Sequence, residues 1–131
     1  MNTSQGEAKV IKLLKEADIS FEREKSFKDL KHGLFKYDFY VQLIDHKVLV
    51  EVDGIQHFEF VSHYHKNRQG FLKNQEHDRR KNSYALSQNL PLYRIPYWDL
   101  DSLTYAGDLF QDKYLVKNRN HNDYLRNPYK Q

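Results

Sequence analysis

A mixed α/β domain is what this sequence predicts, and three observations carry it. A capped amphipathic stretch opens the chain, three runs of alternating aromatic and β-branched residues follow, and a helix-length polar segment leads into a short strand flanked by prolines. The resulting order, αβββαβ and then one more helix, implies a mixed sheet with helices packed against it.

Ser4 followed three residues later by Glu7 is a capping box, and Val10, Ile11, Leu14 and Ala17 recur at helical spacing, so the first helix is predicted over 4–17. "SFEREKSF" (20–27) and "LFKYDFYV" (34–41) read as two strands, separated by the loop "KDLKHG" ending at Gly33. "KVLVEVD" (47–53) is the third strand. The following "GIQHFEFVSHYHKNRQG" (54–70) has no clean period and is expected as a long loop, a class that is usually functional or mobile. A second helix is predicted over 71–88, a strand within "LPLYRIPY" (90–97), and a last helix from about Asp99.

A chain of 131 residues, 39% hydrophobic and 15% aromatic, can bury one core. One domain is expected over 1–110, with a basic extension over 111–131. The net charge of +3 fits an anionic partner but decides little alone. Lys117, Arg119, Arg126 and Lys130 stand in the last fifteen positions against Asp123 alone, so that tail holds as much net charge as the whole chain. For this tail, disorder and nucleic-acid docking are both open readings. No cysteine is present, which excludes disulfides and thiolate metal sites. The polar start and the lack of any membrane-length apolar run lead us to expect a soluble, cytoplasmic protein with no membrane partner.

The chemistry concentrates in the hairpin. Pairing Val41 with Val48 also pairs Phe39 with Val50 and Tyr37 with Val52, which makes one face apolar. The other face then sets Asp38 opposite Glu51, Lys36 opposite Asp53 and Tyr40 opposite Leu49. Like charges directly opposed across strands are destabilising. Two remedies are open: a raised pKa on one carboxyl, or a divalent cation such as Mg²⁺ between the two. Lys36 is a candidate to neutralise Asp53. Glu7 begins a stripe with Ile11 and Leu14 that enters the core, and both N-terminal capping and a place in a metal site would explain it. The stripe Phe71, Gln75, Asp78, Asn82 and Ala85 has a polar middle that can overlie the acids. His57, His63, His65 and His77 are irregularly spaced among oxygen donors, which argues against zinc. Arg79, Arg80 and Lys81 form either a solvated helix face or a DNA contact; Tyr93, Arg94, Tyr97 and Trp98 around the last strand read as core and edge packing rather than base-stacking groups, with a phosphate contact as the other place for Arg94.

"SQGE" at the first helix, "YDFYV" with Asp38, "VEVDGIQHF" with Glu51, Asp53, Gln56 and His57, "HDRRKNSYA" with Asp78 and Lys81, and "YRIPYW" together resemble the PD-(D/E)XK nuclease superfamily. Within it, the likeness is to small phage and bacterial endonuclease-like proteins distantly similar to very-short-patch repair enzymes, over about residues 4–98. The resemblance implies a restriction-endonuclease-like core in which Asp38, Glu51 and the Val52 carbonyl hold Mg²⁺, replaceable by Mn²⁺, with Glu7 as an added acid. It implies a metal-dependent DNA endonuclease of a bacterial or phage-infected cell, nicking as a monomer or cutting both strands as a homodimer. Asp53 stands where the superfamily has lysine. Gln56, His57, Lys36 and Lys81 are the candidates for the lysine's role, with Gln56 and His57 favoured by their place in the motif. The missing lysine keeps a second reading open, a nucleic-acid-binding module that retains the fold without turnover.

Overall fold

Ser4 does cap the first helix. The computed structural model describes residues 4–126 and 128–129, so Lys130 of the basic tail lies outside the described residues. Helix α1 spans Gln5–Glu16, with the Ser4 hydroxyl accepting the Glu7 N–H at 3.0 Å and facing the Glu7 carboxylate at 3.3 Å. Its buried face is Gly6, Val10, Leu13 and Leu14. Gly6 permits a close approach to the sheet, since a Cβ there would meet Val52 Cγ1 at 2.7 Å and Leu100 Cδ1 at 2.8 Å.

Four strands follow the predicted order: β1 (Phe21–Ser26), β2 (Lys36–Gln42), β3 (Lys47–Asp53) and β4 (Leu92–Pro96), with α2 (Arg68–Ser87) between the last two. The sheet order is β1-β2-β3-β4, antiparallel for the first two pairs and parallel for β3 with β4. The chain is therefore mixed α/β with a four-stranded mixed sheet. One face buries Val10, Leu14, Phe39, Val41, Val48, Val50 and Ile95 with Leu103, Leu109 and Tyr114. The other buries Leu30, Tyr37, Leu49, Ala85 and Leu92, closed by α2. None of the described helices is long and apolar enough to cross a membrane.

Three expectations need correcting. Helix α2 starts at Arg68 rather than 71, because the Asn67 side chain caps it by accepting the Gly70 N–H at 2.9 Å, so Gly70 lies inside the first turn rather than ending a loop. The last helix does not form. Instead 3₁₀ turns occupy Tyr97–Ser102, Ala106–Phe110 and Asp112–Tyr114, because the Asp108 carboxylate takes the N–H groups of Thr104 and Tyr105 at 2.8 and 3.0 Å and replaces helical bonds with local ones. Tyr37 also leaves the face expected of it. It packs with Leu49 and Leu92 while Phe39 packs with Val50, although positions 37 and 39 share a face in a regular strand. The alternation is reset at Asp38, beside Glu24 of β1, whose φ of 53° is left-handed.

Residues 111–126 run back over the domain. Tyr114 enters the first core, Leu115 bridges to Tyr93, and the Val116 N–H bonds to the Leu92 carbonyl at 2.8 Å. Lys117 pairs with Asp112, Arg119 with Glu76 and Arg126 with Asp123, so three cations of the tail already face acids.

Candidate functional site

The hairpin ladder runs from Gln42 opposite Lys47 to Phe39 opposite Val50, in the predicted register, and then opens. At the opening, each acid fastens the other strand: the Asp38 N–H donates to Glu51 Oε1 at 2.7 Å, and the Val52 N–H donates to Asp38 Oδ2 at 2.8 Å. The carboxyls therefore lie interlocked between the strands rather than side by side above the sheet. Burial, with the Glu51 charge next, pushes the Asp38 carboxyl well above the usual carboxylate range. Of the two remedies expected for the opposed acids, a raised pKa on one of them is present.

A lysine, which was neither of those remedies, also meets the pair. Lys81 comes down from α2, 9% exposed, with its ammonium donating to Glu51 Oε2 at 2.8 Å and to the Lys36 carbonyl at 2.6 Å. It lies 5.0 Å over the Tyr37 ring, and the Tyr37 hydroxyl donates to the Lys81 carbonyl at 2.8 Å. Lys81, expected at the DNA backbone or in the place of the absent motif lysine, is the lysine beside the acid pair, reaching it from a helix rather than from β3.

Asp53 faces a different set of partners. It is fully buried, and Arg94 Nη1 contacts both of its oxygens, at 3.1 and 2.9 Å. The Tyr124 hydroxyl donates to Asp53 Oδ2 at 2.6 Å. Arg94 also donates from Nε to Asn82 Oδ1 at 2.7 Å and from Nη2 to the Asp78 carbonyl at 3.2 Å. Two expectations change here. Lys36 does not neutralise Asp53, since it pairs with Ser26 across β1 and Arg94 holds the acid instead. Arg94, expected at a phosphate, is 1% exposed, and its N–H groups are spent inside. Parallel pairing of β3 with β4 sets Arg94 opposite Glu51 and so inside the α2 layer.

His57 sits on the 3₁₀ turn Ile55–His57, with Nδ1 2.8 Å from Asp78 Oδ2 and 3.6 Å from Asp53 Oδ1. Burial alone would lower its pKa, but Asp53 and Asp78 raise it to about 9, so the ring is an imidazolium at neutral pH. Burial likewise favours protonated Asp53 and Asp78; Arg94 and His57 outweigh it and hold both acids below the usual range. Gln56 is half-buried on the same turn.

Glu7 is paired with Arg23 and bound into the α1 cap. It lines a cleft with Val52 and Gln56. Among the described residues, no three His, Asp or Glu side chains gather as a metal cage. The fit of the remaining set to a hard cation rests on chemistry: two carboxyls on rigid strands offer oxygen donors of the kind Mg²⁺ takes, and a cation between them would favour the charged form of the raised Asp38. Arg79 lies near Glu76 at 3.6 Å, and Arg80 is exposed over the Phe35 ring at 5.4 Å. Sequence reasoning missed Tyr124, which no local pattern marks, being 71 positions from the acid it caps.

No family model and no solved structure matches the chain. A 59-residue stretch is 37% identical to "Uncharacterized protein 307L" of Invertebrate iridescent virus 6, covering 45% of this chain and 30% of the viral protein's length.

Proposed function

We propose that this chain is a metal-dependent DNA endonuclease of the PD-(D/E)XK type, with a restriction-endonuclease-like αβββαβ core. One observation carries the reading: Asp38 and Glu51 interlock where the β2–β3 ladder opens, with the Lys81 ammonium 2.8 Å from Glu51. A phosphodiester resists water because it is already anionic, and a site that hydrolyses one must supply positive charge. Asp38, Glu51 and the Val52 carbonyl are the residues that would hold Mg²⁺ or Mn²⁺. Such an ion supplies charge neutralisation at the phosphate and makes water more acidic.

The chain's own residues do the rest. Lys81, fixed from both sides, takes the place of the lysine that β3 lacks and holds charge against the phosphate. His57 is kept protonated and oriented by Asp78 through Nδ1, so Nε2–H is the donor left to face a phosphate oxygen or to hand a proton to the leaving oxygen. Arg94 and Asp53 touch no substrate; they fix Asp78 and the end of β3 from behind.

The test is nicking of supercoiled plasmid in Mg²⁺ by the full chain. Asp38→Asn and Glu51→Gln are each expected to lower the rate on the order of 10³-fold. The Lys81–Glu51 ion pair favours one rival, a binding module in which lysine permanently closes the acid pair. That rival predicts DNA binding with no nicking in Mg²⁺ or Mn²⁺.

A further inference from the structure

Two clefts open near the acid pair, one reaching Lys81 and the other Val52, and they differ in kind. The first, about 330 Å³, is lined by Lys36, His57, His77 and Lys81 and by one acid, Asp78. Lys73, Arg80 and Lys31 lie close enough to His77 to help depress its pKa, behind the larger effect of burial. This cleft is cationic and suits the sugar-phosphate chain.

The second cleft, about 760 Å³, opens between the first turn of α1 and the loop after β3. Among the described residues, Lys9 is its single lysine or arginine, against the acids Glu7 and Asp101. It offers no excess positive charge to a phosphate backbone. It does offer ring and apolar surface: Tyr64 is 59% exposed, Ile55 is 38% exposed, and Tyr97 lines the wall. Beside these stand Ser4, Gln5 and Gln56, side chains able to donate and accept hydrogen bonds. Gln56 lines both clefts, so one side chain joins the cationic space to the aromatic one.

The loop that presents Tyr64 is anchored through its neighbour His65. His65 is buried between Phe60 and Phe71, ring centroids 5.8 and 5.2 Å away, and accepts the Val61 N–H at 3.1 Å. The His63 ring meets the edge of Tyr64 at 5.1 Å. A neutral, flat, hydrogen-bonding group fits such a space, and in a nucleic acid that group is a base. Bases inside a duplex are stacked and paired, and extracting one costs a few kcal/mol, whereas an unpaired base enters without that cost.

We infer that the Tyr64 cleft receives an unpaired nucleobase next to the phosphate held at the acid pair, so that the substrate is a nucleic acid carrying unpaired nucleotides rather than a continuous duplex. The inference rests on the nuclease reading for where the phosphate is cut, and on the two clefts for what lies beside it.

Two duplexes of identical sequence test it, one fully paired and one with a single unpaired 2-aminopurine, with binding followed in Ca²⁺ and cleavage in Mg²⁺. The full chain is expected to bind the unpaired substrate roughly tenfold tighter and to change the 2-aminopurine fluorescence. Tyr64→Ala removes that preference and leaves affinity for the paired duplex unchanged, while Tyr64→Phe keeps it. Equal affinity for both duplexes, or a Tyr64→Ala variant weakened equally on both, overturns the inference. Cleavage without preference leaves the nuclease reading standing and this one fallen; preference in Ca²⁺ with no cleavage in Mg²⁺ does the reverse.

Discussion

Glu51 and Asp53 leave β3 two residues apart on the same face, and their surroundings could hardly be less alike. Around Asp53 the charges close on themselves. A buried guanidinium meets Asp53 and Asp78, a tyrosine hydroxyl and an imidazolium fill the remaining positions, and both carboxyls are held low. Around Glu51 they do not close. Lys81 bonds Glu51 and the Arg94 guanidinium stands 4.0 Å from the same oxygen, while Asp38 is pushed up by burial and by Glu51. The first cluster needs nothing from outside. The second leaves Asp38 driven toward its protonated form, a shift that a cation beside it would reverse.

Breaking the closed cluster has the largest expected effect. Arg94→Met leaves Asp53 and Asp78 without their cation and should cost about 3–5 kcal/mol in urea unfolding, a large fraction of a small domain's stability. Unchanged stability would mean that the guanidinium is not the keystone of the cluster.

Next in size is the pH dependence of His57. Its folded pKa of about 9 stands above the ordinary 6.5, so its contribution is complete below pH 6.5 and is lost as pH rises through 9. The loss is on the order of 3 kcal/mol across that window. The His57→Gln variant should show a flat urea midpoint there, and a slope equal to that of the unmodified chain would remove His57 as its source.

A smaller change is expected from Tyr124→Phe, which removes one donor from Asp53 while Arg94 remains: about 2 kcal/mol in the same assay. The smallest effect has the opposite sign. In EDTA, Asp38→Asn keeps an acceptor for the Val52 N–H and removes a like charge beside Glu51, so it should stabilise the fold by up to about 1 kcal/mol. Destabilisation by that change would erase the contrast between the two clusters.

The hairpin was legible because the evidence for it is local. Alternation from Phe39 to Val41 and from Val48 to Val50 admits one register with an apolar face, and that register is the one found. The first helix was legible through Ser4 and Glu7 for the same reason. The polar stripe Gln75, Asp78 and Asn82 correctly marked a buried face of α2. What lay hidden depends on distant pairings. Arg94 reads as packing around the last strand or as a phosphate contact until β4 is laid parallel to β3, which places it against Glu51. Tyr124 is invisible for the same cause. The reset of alternation at Asp38 arises with a left-handed residue, Glu24, on the neighbouring strand, and nothing in "YDFYV" announces it. The failed helix after Asp99 was lost to Asp108, a side chain that competes for backbone donors.

Binding of Mn²⁺ by the unmodified chain and by Asp38→Asn, followed by electron paramagnetic resonance, addresses the open acid pair most directly. A single tightly held ion is expected in the first and none in the second, with Glu51→Gln behaving like Asp38→Asn. Equal binding by all three proteins, or none by any, would mean that the charge between β2 and β3 is not waiting for a metal.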